Sequence, residues 1–291
     1  MHAPARRTLR GPASVRGPGL FTGVDATLTL APAPPGAGLL IRSGTRDAPA
    51  TIDRLSGRPA HPVFASLKPR CTSIDAGDRT VATVEHALSA LAGLGVTDAL
   101  LICDGPEIPI ADGSAAPFVD AVLRAGTRDA GGPIEPIRLG RPVEITDDRA
   151  TITAEPFDDI DYAYELDYGP GSPVPPGVAR WRGDPDDYRT NIAPARTFST
   201  LDEADRMRSL GLFARFTPAD LLVIGPDGPV DNAWRFPDEC ARHKLLDLIG
   251  DLALLGRPLF ARVRAHRAGH AHTHQLCRAI LGQASARSPI T

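Results

Sequence analysis

Three stretches of this sequence carry side chains whose types and spacing could do chemistry. The first is Arg242-His243-Lys244-Leu245-Leu246-Asp247, in a segment with helical periodicity. Residues four apart on a helix project from one face, one turn above the other. An imidazole and a carboxylate so placed can bite one metal ion, as the two histidines of an HExxH helix do. Asp251 continues the stripe by a further turn. The same spacing also describes the solvated face of an ordinary amphipathic helix, so it does not decide alone. The second stretch is Thr83-Val84-Glu85-His86, at the start of another helical segment. There the helix dipole disfavours imidazolium and keeps His86 neutral, free to coordinate a cation. Adjacent residues lie about 100° apart around a helix, so Glu85 and His86 do not chelate together. One can hold a metal while the other addresses the water on it. The third stretch is His266 to His274, which holds four of the eight histidines: His266, His270, His272 and His274. Two readings stand. His270 and His274 form their own metal pair, or one histidine is a proton donor at a helix start after Gly269 and the others are incidental. Spacing does not choose between them. Serine and cysteine nucleophiles have no local signature here, and no phosphate-cradling loop is found.

These residues need elements to position them. Val84, Ala87, Leu88, Leu91 and Leu94 share a face, which predicts a helix over 84–94 with Thr83 as its N-cap and Gly95 as its stop. Residues 20–43 alternate and read as a hairpin or meander broken by a Pro-rich turn at 32–35. Ala99 to Cys103 is an apolar run of strand length, and Ser114 caps a helix from about 115 to 125 ended by Gly126. Asp129-Ala130-Gly131-Gly132-Pro133 reads as a linker. The pattern then restarts, with strands at 137–145, 150–155 and 161–168, then a loop from 169 to 187 with five prolines. A buried strand at 221–224, a helix over 239–255, a strand at 258–264 and a helix from 270 to 282 complete the chain. Each half reads as strands, helix, strand, helix. The expected fold is α+β, with a first domain over 1–129 and a second over 134–291.

Composition bounds the rest. The 291 residues are 42% hydrophobic and 23% charged, a globular mixture that builds a sizeable core. A net charge of −3, without a polybasic block, excludes nucleic-acid binding by phosphate neutralisation. Arg6, Arg7, Arg10 and Arg16 hint at a transit peptide, but Gly11, Pro12, Gly17, Pro18 and Gly19 break the amphipathic helix that one requires. No apolar run nears the roughly 18 residues of a membrane span. Cys71, Cys103, Cys240 and Cys277 lie far apart with no CxxC pair, as reduced cytosolic thiols do. The expected protein is cytoplasmic and monomeric.

A resemblance joins these pieces. The run Thr83-Val84-Glu85-His86, with Ser89-Ala90-Leu91-Ala92-Gly93-Leu94-Gly95, Gly105-Pro106-Glu107-Ile108-Pro109-Ile110 and Asp112-Gly113-Ser114-Ala115-Ala116-Pro117-Phe118, resembles the UDP-3-O-acyl-N-acetylglucosamine deacetylase family. So do Ala195-Arg196-Thr197-Phe198, the stretch Arg242 to Leu252, and Ala268-Gly269-His270. These motifs stand in the family's order from about residue 8 to 282. The resemblance implies hydrolysis of the N-acetyl group of the acylated UDP-glucosamine precursor of lipid A, in the cytoplasm of Gram-negative bacteria. It implies two α+β domains with helices packed between two sheets. It implies one zinc ion on His86, His243 and Asp247, with Glu85 as general base and His270 as charged partner oriented by Asp251. Thr197 would meet the oxyanion, and Lys244, Phe198, Tyr168 and Leu20 would contact the nucleotide sugar. It leaves His266, His272 and His274 incidental. Three protein ligands leave one position open, the pattern of a catalytic rather than a structural zinc.

The sequence departs from the family at two places. Gly19-Leu20-Phe21-Thr22-Gly23 has Phe21 where the family has His, and Arg215-Phe216-Thr217-Pro218 replaces a turn of small residues. Both are expected on the substrate side, where they bear on acyl-chain preference. Two other functions fit the same residues: a divergent zinc amidohydrolase for another acylated amino sugar, and a non-catalytic nucleotide-sugar binder.

Overall fold

The computed structural model describes residues 4–59, 61–65 and 70–285. Its first sheet has five strands in the order Ala13–Pro18, Asp25–Pro32, Ala99–Cys103, Leu39–Arg42, Asp47–Pro49. Ala99–Cys103 runs antiparallel to Asp25–Pro32 and parallel to Leu39–Arg42. The hairpin expected within 20–43 is therefore not formed. The apolar Ala99–Cys103 run takes the centre of the sheet, where both of its edges are paired, and lies between the two strands.

Two helices accompany this sheet: Glu85–Gly93 (α1) and Ala116–Ala125 (α2). In α1 every residue except Ala92 is buried. A helix buried around its circumference must lie between layers. Thr83 does not cap it. Val84 precedes the first turn without a side-chain cap, while Thr83 sits at φ +60° with its hydroxyl donated to the buried Glu107, 2.9 Å away. Ser114 hydroxyl accepts from Ala116 N at the start of α2, near its expected capping place.

Further helices follow among the described residues: the single turn Pro185–Asp187 (α3), Leu201–Ser209 (α4), Glu239–Leu252 (α5) and His270–Ser285 (α6). The second sheet runs Val143–Thr146, Thr151–Pro156, Leu259–His266, Ile160–Leu166, Gly177–Trp181, with Ile137–Arg138 paired to one end of Leu259–His266. α5 packs on Ile160–Leu166 and Gly177–Trp181, and α6 covers Val143–Thr146 and Thr151–Pro156. α5 also packs on α1. The helices thus lie between two sheets, in an α+β fold of two similarly built halves.

Three segments differ from expectation. Residues 129–133 belong to the strand Thr127–Pro133, paired antiparallel with Ala5–Leu9, so the linker sequence is pinned by a ladder. The Pro-rich 169–187 stretch contains the edge strand Gly177–Trp181, and its prolines fall outside that strand, where no ladder donor is needed. α4 is not among the expected helices, although Thr200 and Glu203 form a complete capping box at its start. It sits beside a small sheet of Phe198–Thr200, Leu222–Gly225 and Gly228–Pro229. Among the described residues no helix is long and apolar enough to cross a membrane.

Candidate metal centre and active site

Close packing of α1 on α5 creates the site. Gly250 is the point of approach: a Cβ there would overlap the main-chain carbonyl of Glu85. With the two helices this near, His86 of α1 faces His243 and Asp247 of α5. One ligand atom from each lies within 4.8 Å of the other two, and all three residues are buried. His86 Nε2 and His243 Nε2 stand 3.6 and 3.4 Å from the same atom, Asp247 Oδ1. The imidazole rings meet edge to face at 5.1 Å.

Hydrogen bonding shows what this cluster lacks. His243 Nδ1 lies 3.1 Å from the Ala195 carbonyl oxygen, which can only accept, so Nδ1 carries the proton and Nε2 presents its lone pair inward. Burial pushes the His243 pKa down to about 3, so the ring is neutral. Asp247 Oδ2 accepts from Lys244 Nζ at 2.8 Å, yet Oδ1 is buried without a hydrogen-bond partner among the described residues. Burial works against the Asp247 charge, but the Lys244 ammonium and the cationic His270 outweigh it and hold the carboxyl well below its usual range. An ionised oxygen, buried and unpartnered between two imidazoles, is what a divalent cation satisfies. The residues fit the metal that the resemblance implies.

Glu85 and His270 flank this centre. Glu85 is buried, and its Oε2 accepts from Thr72 N at 3.0 Å. Burial pushes its carboxyl up, against the pull of the cationic His270. His270 opens α6, with Nδ1 2.7 Å from Asp251 Oδ2 and Nε2 3.9 Å from Asp247 Oδ2. Burial alone would lower the His270 pKa, but Asp251, Asp247 and Glu85 outweigh it and raise it to about 9. The imidazole is therefore cationic at neutral pH. Asp251 is buried too, and its carboxyl is held below the usual range by His270 and His274 against the cost of burial.

Asp251, His270 and His274 also bring ligand atoms within 4.8 Å of one another. Here both oxygens of Asp251 already have donors, Thr72 on Oδ1 and His270 on Oδ2, so this group is a closed hydrogen-bond network. His274 is accordingly not incidental: its Nε2 is 3.0 Å from the Thr72 hydroxyl. His272 does pair outward, with Asp147 at 3.0 Å, and His266 ends a strand.

Beside the centre lies a cleft of about 510 Å³ whose lining includes Leu20, Tyr168, Thr197, Phe198 and Lys244. The residues expected to meet the sugar thus share one cavity with the expected oxyanion donor. Lys244 Nζ sits 5.7 Å from the Phe198 ring centroid, and Phe198 meets Tyr168 at 6.4 Å. The two departing segments touch each other here. Phe21 is buried and its ring lies 5.9 Å from that of Phe213, while Arg215 reaches the Gly23 carbonyl and Asp25 at 3.2 and 2.7 Å.

Two residues that tie the site together were not singled out by the sequence. Thr72 lies in an aperiodic stretch that gives no signal. Glu107 stands in the Gly105-Pro106-Glu107 motif, which was a signal without an assigned role. Its buried carboxylate accepts from Phe21 N, Thr22 N, Thr22 Oγ1 and Thr83 Oγ1, tying the 19–23 turn to the entry of α1.

Comparison with known proteins bears on this arrangement. Residues 6–282 match the sequence model of the LpxC family, described as UDP-3-O-acyl N-acetylglycosamine deacetylase. A protein of Myxococcus xanthus (strain DK1622) named UDP-3-O-acyl-N-acetylglucosamine deacetylase is 35% identical over 96% of this chain and 87% of its own length. The protein of that name from Thermosynechococcus vestitus (strain NIES-2133 / IAM M-273 / BP-1) is 38% identical over 97% of this chain and 95% of its own. One from Acidithiobacillus ferrooxidans (strain ATCC 53993 / BNL-5-31) is 36% identical over 95% and 90%. With a family match over nearly its whole length, and with the chemistry-bearing motifs meeting at one centre between α1, α5 and α6, the chain belongs to the UDP-3-O-acyl N-acetylglycosamine deacetylase family.

Proposed function

We propose that this protein hydrolyses the N-acetyl amide of UDP-3-O-acyl-N-acetylglucosamine, using one zinc ion held by His86, His243 and Asp247. The observation that carries the reading is the unpartnered Asp247 Oδ1 between two imidazoles, flanked by Glu85 and a cationic His270, in a member of this family. Zinc, when bound there, supplies a Lewis acid that polarises the amide carbonyl and acidifies water.

The chain's own residues do the rest. Glu85, made more basic by burial, takes a proton from the attacking water. His270 keeps Nδ1 on Asp251 and turns Nε2, with its proton, towards the developing oxyanion. The Thr197 hydroxyl is a neutral donor on that side of the cleft. The leaving amine takes its proton from His270 or from Glu85. Lys244, Phe198, Tyr168 and Leu20 hold the nucleotide sugar in the adjoining cleft. The reaction belongs to lipid A assembly in the cytoplasm, and the protein acts as a monomer with domains 1–129 and 134–291.

The test is acetate release from UDP-3-O-acyl-N-acetylglucosamine by purified protein, with and without a chelator, alongside the Glu85→Ala variant. Loss of activity on chelation, recovery with zinc, and a fall of about two or more powers of ten in Glu85→Ala are expected. Hydrolysis of other acylated amino sugars in place of this one would favour a divergent amidohydrolase. Tight binding without turnover would favour a nucleotide-sugar binder.

A further inference from the structure

Thr72 is a wholly buried residue whose three polar groups all engage the site. Its amide donates to Glu85 Oε2 at 3.0 Å, and its carbonyl accepts from Val84 N, the residue before α1, at 3.2 Å. Its hydroxyl lies 2.6 Å from Asp251 Oδ1, 3.0 Å from His274 Nε2 and 3.4 Å from His270 Nδ1.

Counting protons fixes the directions. A hydroxyl has one proton to give and two lone pairs. The ionised Asp251 can only accept, and its contact is the shortest, so the Thr72 proton goes to Oδ1. The hydroxyl must then accept from His274, which fixes the proton of that ring on Nε2. His270 spends its own Nδ1 proton on Asp251 Oδ2, 2.7 Å away. Each oxygen of Asp251 thereby takes its short hydrogen bond from a different donor, with His274 Nε2 standing behind Thr72 at 3.5 Å from Oδ1. A carboxylate held at one oxygen cannot swing about its Cβ–Cγ bond without breaking a charge-assisted hydrogen bond.

We infer that Thr72 is a positioning residue for the deacetylation proposed above, its hydroxyl, backed by His274, locking the Asp251 carboxylate that aims His270. This rests on that reading of His270 and Asp251. The same residue holds Glu85 through its main chain, so one threonine sets the relative placement of the proton acceptor and the cationic partner. Only the locking of Asp251 depends on the side chain, which makes the two duties separable.

The experiment compares Thr72→Val, Thr72→Ser, Asp251→Asn and the Thr72→Val/Asp251→Asn double variant. Bound zinc, the thermal midpoint, kcat and KM on UDP-3-O-acyl-N-acetylglucosamine are measured for each. Valine keeps the shape and the amide bond to Glu85 but removes the hydroxyl. It should lower kcat by about 10–100-fold, the usual scale for a supporting hydrogen bond behind a site residue, with KM within about twofold and zinc retained. Serine should restore most of the turnover. The double variant should be no slower than Asp251→Asn alone, because the hydroxyl acts only through that carboxylate. Should Thr72→Val not fold, Thr72→Ala provides the same hydroxyl-free comparison. Full turnover in Thr72→Val, failure of serine to rescue, or multiplying losses in the double variant overturns the inference. If Asp251→Asn itself turns over normally, both the inference and the role given to Asp251 fall. If Asp251→Asn is slow and Thr72→Val is not, the inference alone falls.

Discussion

Gly250 of α5 lies directly against the main-chain carbonyl of Glu85, the first residue of α1, with no room for a side chain between them. The contact sets the separation of the two helices at the level of the site, since His86 follows Glu85, and Asp247 and His243 precede Gly250 by about one and two turns.

Gly250→Ala should therefore push α5 from α1. Overpacking of this kind costs about 1–3 kcal/mol, and it should weaken metal retention as His86 moves away from Asp247. Thermal unfolding and elemental analysis of the variant check this. An unchanged melting point with full metal loading would mean the helices adjust elsewhere.

His243→Ala should abolish metal binding and turnover together. It removes one of the two imidazoles that face Asp247 Oδ1, and leaves that buried oxygen still less satisfied. A variant that still carries one ion per chain by elemental analysis would refute the ligand assignment.

Asp161 gives a prediction away from the site. Its buried carboxylate accepts from Arg180 at 2.7 Å, Arg262 at 3.2 Å and Arg264 at 2.7 Å in the second sheet. Burial raises its pKa, but the three guanidinium groups outweigh this and hold it below the usual carboxylate range. A lowered folded pKa means the stabilisation is complete above the unfolded value, about 3.9, and is lost as pH falls through the folded one. Asp161→Asn should cost about 1–2 kcal/mol at pH 7, kept small because the arginines are partly solvated. Urea unfolding should show the gap between variant and parent narrowing with acidification below about pH 4. A gap constant with pH would assign the loss to packing.

Phe213→Ala should widen the cleft where the two departing segments meet. Phe213 lies against Phe21 and lines the cavity. KM across a series of acyl-chain lengths should shift, with kcat within a few-fold. Phe21→His, by contrast, puts a polar ring among Leu20, Leu212 and Leu221 and should cost stability as well as affinity. Identical chain-length profiles for Phe213→Ala and its parent would show that this wall does not meet the acyl group.

Much of this molecule was legible in its sequence, for identifiable reasons. α1, α5 and α6 have apolar stripes long enough to fix their period, and the His243–Asp247 spacing needs only a helix to become a bidentate face. What spacing could not reveal was contact between distant segments. Nothing local says that Ala99–Cys103 will insert between Asp25–Pro32 and Leu39–Arg42, since that depends on which run most needs pairing on both edges. The histidine cluster was ambiguous for the same cause: His270 and His274 are told apart by how they meet Asp251, Thr72 and Asp247, residues from two other segments. Thr72 was invisible because its importance lies in hydrogen bonds made from an irregular stretch. The capping box of α4 was readable, but the helix has few apolar residues to mark its period.

The proposed metal ligands are split between two helices, His86 on α1 and His243 with Asp247 on α5, and this would couple cation affinity to the folding equilibrium. Neither helix alone carries the full set, so the unfolded chain has no comparable site. An ion that binds only the docked pair shifts that equilibrium by mass action, by about 2.7 kcal/mol when its free concentration is about a hundred times its Kd. The cation would then be a clamp between the halves as well as a reagent, and a chelator would loosen the α1–α5 seam that adjoins the proposed substrate cleft.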